Sequence, residues 1–139
     1  MKMDEQNYIL EAEKKVLDIK GLPESLPKRE INRVGIIGAG TMGGGIAMNF
    51  ANVGIPAHIV ETSQDQLDKG IRNINNNYER SVKRGKISKE QVTDRFKLIS
   101  SSTQLIDLGH CDLIIEAVYE DLDLKKSIFK ELDKIARPF

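Results

Sequence analysis

Apolar residues are spaced in two ways along this chain, and the two ways alternate. Ile9, Ala12, Val16 and Ile19 recur at steps of 3, 4 and 3, which predicts one helical stripe over residues 1–20. Gly21 follows as a stop signal, and Pro23, Glu24, Ser25 and Pro27 make a stiff linker to Glu30. Short, nearly unbroken apolar runs then appear at Val34-Gly35-Ile36-Ile37, at Ala57-His58-Ile59-Val60 and at Leu113-Ile114-Ile115. Runs of that length without polar alternation predict strands buried on both faces, as in parallel sheets. Strands are expected at 33–37, 57–61, 97–100 (centred on Leu98 and Ile99) and 112–118.

Helical spacing fills the intervals. One helix runs from the glycines after the first strand to about residue 53, where Gly54 is placed to end it and Pro56 starts the next segment. Ser63 caps a long helix to about residue 84, with Leu67, Ile71, Ile74 and Tyr78 on one face and Gly85 at its end. Ser88 and Gln91 form a capping-box pair that opens a short helix to about residue 96. One helical turn is expected over 103–107. A last helix over 122–136 turns Leu124, Ile128, Phe129, Leu132 and Ile135 inward, and Pro138 stops it.

A strand, a helix and a second strand favour a right-handed βαβ unit. Four such alternations predict an α/β fold, a doubly wound parallel sheet in spatial order 3-2-1-4. A complete fold of this type has six strands. The chain is therefore expected to be the front part of a larger domain, truncated after the fourth strand and its helix, with strand 112–118 an unpaired apolar edge. Residues 1–30 form a separate helix and linker, and 31–139 the sheet domain. The first helix reads either as a surface element packed on that domain or on a neighbour, or as the tail of a domain upstream.

Composition narrows the function classes. Lys plus Arg and Asp plus Glu are equal at 21 each, so neither nucleic acid nor an anionic membrane is expected as the main partner. Cys111 is the only cysteine, so no intramolecular disulfide forms. No apolar run approaches the roughly 20 residues that span a bilayer. A soluble intracellular protein is the expectation.

The chemistry concentrates between the first two strands. Gly38, Gly40 and Gly43 stand in G-x-G-x-x-G spacing, with Ala39, Thr41 and Met42 between them. The first glycine permits the tight turn, the second lets backbone approach a phosphate, and the third lets helix and strand pack closely. Unpaired N–H groups at that helix start suit a pyrophosphate. Glu61, 23 positions after Gly38, ends the next strand. A carboxylate there accepts hydrogen bonds from ribose hydroxyls and repels a 2′-phosphate, which favours NAD over NADP. Gly44 and Gly45 cost a helix about 1 kcal/mol each relative to alanine, which points to close packing, close ligand approach or simply poor helix optimisation. The fourth strand leaves the sheet at Glu116-Ala117-Val118-Tyr119-Glu120-Asp121, beside the first strand, at the switch point where ligands bind. Glu120 and Lys125 are placed there for a nicotinamide ribose, although Glu120 and Asp121 equally suit the positive end of the helix that follows. Arg80, Lys83, Arg84, Lys86 and Lys89 form a basic cluster, read as a solvated helix end or as a seat for a phosphate-rich substrate. His58 reads as a packed histidine. His110 and Cys111 have no companions at metal spacing, so no metal is expected. No nucleophile–base pair can be assembled, and no catalytic residue is assigned.

Taken together, VGIIGAGTMGGGIA, Glu61, the helix ending VKRGKIS, and CDLIIEAVYEDLDLKKSIFKELDKIARP resemble the 3-hydroxyacyl-CoA dehydrogenase family from about residue 31 to 138. Residues AEKKVLDIKGLPESLP resemble the linker before this domain in multifunctional β-oxidation enzymes, where an enoyl-CoA hydratase module precedes it. The resemblance implies a Rossmann-type fold and oxidation of a 3-hydroxyacyl-CoA to the 3-ketoacyl-CoA with NAD. It carries cofactor contacts onto Gly38, Ala39, Gly40, Thr41, Met42, Gly43, Glu61, Ala117, Glu120 and Lys125, and CoA contacts onto Asn77 and Arg84. The family's Asn-Thr-Ser strand, catalytic histidine and helical C-terminal domain have no counterpart here. The parent is thus expected to be an enzyme, and this chain to hold NAD(H) without turnover. The alternatives are another β-hydroxyacid dehydrogenase and a non-catalytic nucleotide-binding module.

Overall fold

The structure is a computed structural model, and it describes residues 4–23, 25–26 and 30–137. Glu24 and Pro27 of the predicted linker, and Pro138, lie outside the described residues. Four parallel strands, β1 (Val34–Ile37), β2 (Ala57–Val60), β3 (Ile99–Ser102) and β4 (Leu113–Glu116), form one sheet in the order β3-β2-β1-β4. The predicted order 3-2-1-4 is the observed one.

Every residue of β1 and β2 is buried, so their apolar side chains serve two cores. Val34, Ile36 and Ile59 face helices α2 (Thr41–Asn52) and α3 (Gln64–Lys83), where Ala47, Leu67, Ile74 and Tyr78 complete the packing. Ile37 and Val60 face the other way, onto Leu108 of a 3₁₀ turn (Leu105–His110) and Leu132 of the last helix. The Tyr78 hydroxyl donates to Asn52 Oδ1 at 3.2 Å, and its ring meets Phe96 edge-on at 6.4 Å. Those contacts tie α3 to the end of α2 and to the short helix α4 (Lys89–Lys97). The Ser63 cap and the Ser88–Gln91 capping box form as the sequence predicts.

Three expectations need correction. Strand β3 begins two residues later than predicted: Lys97 still belongs to α4 and Leu98 is its C-cap. With its central residues exposed, β3 tolerates serines, and the Ser100 and Ser102 hydroxyls lie 2.7 and 3.1 Å from the two ring nitrogens of His58. Apolar content is a poor guide to a strand exposed at its centre. The first helix, α1 (Glu5–Leu17), stops short of Ile19, and its described side chains are exposed, including Tyr8, Ile9 and Val16. Last, α5 (Leu122–Ile135) buries Leu132 and packs Ile128 and Ile135, but Leu124 and Phe129 are exposed. Its apolar surface is wider than the described part of the sheet can cover.

Burial holds His58 below its ordinary pKa, helped by Arg33 and opposed by Asp107. A base with a lowered folded pKa is protonated first in the unfolded chain, so stability is full above about pH 6.5 and declines as pH falls below that value. Thermal unfolding followed from pH 7.5 to 5.5 should show a falling Tm, and His58→Gln, which keeps polar contacts to the serines, should flatten that slope. A slope of equal steepness in the variant would show that His58 is not its source.

Candidate nucleotide-binding site

The site is built by the strand ends. Gly38 N–H donates to the Val60 carbonyl at 2.8 Å and Ala117 N–H to the Ile37 carbonyl at 2.9 Å, so both turns leave the sheet at one level. Gly38 has φ +104°, and a Cβ there would lie 2.7 Å from the Ala117 carbonyl oxygen. Only glycine satisfies both conditions. Gly40 is the N-cap of α2, with open space where a side chain would stand. At Gly43 a Cβ would overlap the Gly38 carbonyl, so the first turn of α2 rests directly on the end of β1.

Glu61, just beyond β2, reaches across to this turn. Its Oε2 accepts from Ala39 N–H at 3.2 Å, and Oε1 lies 3.4 Å from the Thr62 hydroxyl and 3.5 Å from Ser63 N. The residue pattern puts this acid near the ribose position; the structure adds that the same carboxylate braces the glycine turn. Gly70 of α3 is a further support that the sequence reading missed. A Cβ there would lie 2.6 Å from Ala39 Cβ and overlap the Ala39 carbonyl. A glycine inside a long polar helix, one turn past a buried leucine, is the available signal.

A cleft of about 650 Å³ opens over the strand ends. Gly38, Gly40, Glu61 and Ala117 line it, with Val118 and Ile128 supplying apolar wall. Leu124, expected in the core, lines this cleft instead, and so do Ser127, Lys130 and Glu131 of α5. Thr41 and Gly40 face a second, smaller slot of about 260 Å³ between α2 and α3, with Gly44, Gly45, Asn77 and Arg80. Met42 is exposed beside it, and Ala39 is buried behind the turn. Arg84 is the C-cap of α3 and lines neither opening, so it is not brought to the slot that holds Asn77. The basic cluster is divided: Arg80 faces the slot, whereas Lys83 and Lys89 line a groove between α3 and α4.

Glu120 and Lys125 are not among the residues that line the cleft; outside it, Lys125 lies 2.8 Å from Glu120 and 3.2 Å from Glu116. Hydrogen bonds to Glu120 and Glu116 hold its pKa above the ordinary lysine range. Asp121 caps α5 by accepting from Leu124 N–H at 2.8 Å, a helix-end role that suits the positive end of the dipole. Among the described residues no group of three or more His, Cys, Asp or Glu is gathered to hold a metal, and no helix is long and apolar enough to cross a membrane.

A parallel sheet with a glycine turn on a helix N-terminus, an acid at the end of β2 and a cleft at the switch point defines a Rossmann-type dinucleotide-binding domain. The family follows from comparison. Residues 33–139 match the family model of the 3-hydroxyacyl-CoA dehydrogenase NAD binding domain, and the chain belongs to that family. It is 42% identical over 110 residues to the peroxisomal bifunctional enzyme of Danio rerio, covering 79% of this chain and 15% of that protein. It is 38% identical over 108 residues to a 3-hydroxybutyryl-CoA dehydrogenase of Bradyrhizobium diazoefficiens, covering 78% of this chain and 37% of that one. The crystal structure of an (S)-3-hydroxybutyryl-CoA dehydrogenase from Ralstonia eutropha superposes with a TM-score of 0.75 at 37% identity, over 78% of this chain and 38% of its own. The chain therefore spans well under half the length of these relatives.

The two glycines Gly45 and Gly70 have different surroundings and should respond oppositely to alanine. A Cβ at Gly45 would meet nothing within 4 Å, so Gly45→Ala should stabilise by about 0.5–1 kcal/mol through helix propensity. Gly70→Ala should destabilise by about 1–3 kcal/mol, because α3 must move off the glycine turn. Urea unfolding of both variants decides this, and a stabilised Gly70→Ala would refute the close packing.

Proposed function

We propose that this chain is the cofactor-holding part of an NAD-dependent 3-hydroxyacyl-CoA dehydrogenase of fatty-acid β-oxidation. The observation that carries the reading is the cleft in which the glycine turn, the Glu61 carboxylate and the Ala117 end of β4 converge. It is supported by the family match and by relatives named for 3-hydroxybutyryl-CoA oxidation and for peroxisomal bifunctional activity.

The residues fit the cofactor's chemistry. The N–H groups at the start of α2, around Gly40, Thr41 and Met42, have no side-chain cap and would take the pyrophosphate, with open space at Gly40 where a side chain would stand. Glu61 would accept the adenosine ribose hydroxyls, with Gly38 and Gly43 holding the turn at that distance. Ala117, Glu120 and Lys125 would orient the second ribose at the β4 end. When bound, NAD supplies the acceptor for hydride from the substrate's 3-carbon. Asn77, beside Arg80 in the slot between α2 and α3, is proposed to face CoA, and Arg84 to meet it further along α3. No described side chain stands as the base that removes the hydroxyl proton, so turnover is assigned to the whole parent and not to this chain. The parent is proposed to be a homodimer or to be fused to an enoyl-CoA hydratase module, with the boundary near residue 30. Its compartment would be peroxisome or mitochondrion in a eukaryote and cytoplasm in a bacterium.

Fluorescence titration of the 139-residue chain with NADH and NADPH tests the cofactor choice. NADH should bind the tighter. Glu61→Gln keeps an acceptor for Ala39 N–H but loses the charge, so NADH affinity should fall about tenfold, or about 1.4 kcal/mol, while the handicap of NADPH narrows. Equal affinity of the unaltered chain for the two cofactors would contradict the role of Glu61.

A further inference from the structure

We propose that Glu116 is the positioning residue of this site, the inner anchor that fixes Lys125, next in the chain to the cleft-lining Leu124, while Glu120 remains the exchangeable partner. The proposal rests on the reading of the cleft as a dinucleotide site.

Glu116 is the last residue of β4 and pairs in register with Ile37. Its side chain is only 10% exposed. A carboxylate at that burial is costly unless its oxygens are used. Both are: Oε1 accepts from Val118 N–H at 2.7 Å, and Oε2 lies 3.2 Å from Lys125 Nζ. One side chain thereby fixes the turn after β4 and reaches the first turns of α5.

Lys125 sits early in α5, whose N-terminus carries the positive end of the helix dipole. A cation there is unfavourable by itself and requires compensation. Two carboxylates provide it, and they differ in kind. Glu120 is the nearer at 2.8 Å, but its side chain is 86% exposed. Glu116 is slightly farther and nearly enclosed. Distance ranks Glu120 first, and burial ranks Glu116 first. Burial decides, because water and salt screen an exposed pair almost to nothing, whereas an enclosed pair keeps its attraction. A dinucleotide group arriving beside Ala117 would thus displace Glu120 and leave Lys125 held by Glu116. Glu116 acts through the Val118 turn, which lines the cleft, and through Lys125, which like Glu116 stands outside that lining.

Two readouts separate this proposal from the cofactor reading. In the first, lysines are reductively ¹³C-methylated and the Lys125 signal, assigned by its loss in Lys125→Met, is titrated by NMR without cofactor. Glu116→Gln, which still accepts from Val118 N–H, should lower the Lys125 midpoint more than Glu120→Gln does. A larger drop in Glu120→Gln overturns the proposal. Because Glu120 is exposed, that variant folds in any case, and a midpoint near the ordinary lysine value in Glu120→Gln alone overturns it even if Glu116→Gln does not fold. In the second readout, Glu116→Gln should weaken NADH binding about fivefold with Lys125 present, and not measurably in the Lys125→Met background. Equal weakening in both backgrounds also overturns it. If the unaltered chain does not bind NADH, the cofactor reading fails, and the NMR titration alone decides the role of Glu116.

Discussion

The contact on which this structure depends is backbone against backbone, where the start of α2 and the middle of α3 rest on the turn after β1. Gly43 brings α2 onto the Gly38 carbonyl, and Gly70 brings α3 onto the Ala39 carbonyl. A single methyl group at either position would fill space already occupied by main chain. With the turn gripped from both sides, its N–H groups emerge at a fixed height above the sheet. The strands underneath are buried on both faces, so they cannot tilt to accommodate a shift. Close packing is in this sense the cause of the site's geometry.

Charge then completes what packing begins. Glu61 and Glu116 stand at the ends of β2 and β4, on either side of β1. Each uses one oxygen to accept a main-chain N–H of a turn, Ala39 for the first and Val118 for the second. Each leaves the other oxygen toward polar neighbours, the Thr62 hydroxyl and the Lys125 ammonium. The two turns that border the cleft are therefore latched by carboxylates of the strand ends. A charge-assisted hydrogen bond of this kind is roughly twice as strong as a neutral one, which suits a loop that must hold its shape before a ligand arrives.

Much of this was legible in the residues, for identifiable reasons. Buried parallel strands are unbroken apolar runs, so β1, β2 and β4 stood out, and caps such as Ser63 and Ser88 marked helix starts by their chemistry. The glycine spacing and Glu61 gave the cleft its two principal sides. The rest depends on neighbours distant in sequence. Strand β3 is polar because its central residues, Ser100 and Ser101, are exposed, so apolar content places its start two residues early. Gly70 has its reason outside its own helix, in the Ala39 main chain packed against it. The apolar residues of α5 form more than one face, and periodicity alone did not tell which face meets the sheet, which lines the cleft, and which, like Phe129, is left exposed. The basic residues of α3 formed one cluster in sequence, but the helix turns them toward different openings.

A dinucleotide lying across the ends of β1, β2 and β4 must touch the glycine turn and both carboxylate-latched strand ends at once. An amide ¹H–¹⁵N NMR titration of the chain with NAD tests this residue by residue. The largest shifts should fall at Gly38–Gly43 of the turn, at Glu61 and Thr62, and from Ala117 to Glu120, with α1 and the α3–α4 groove unmoved. Shifts concentrated in α1 or in that groove, or no saturable shift at the glycine turn, would contradict it.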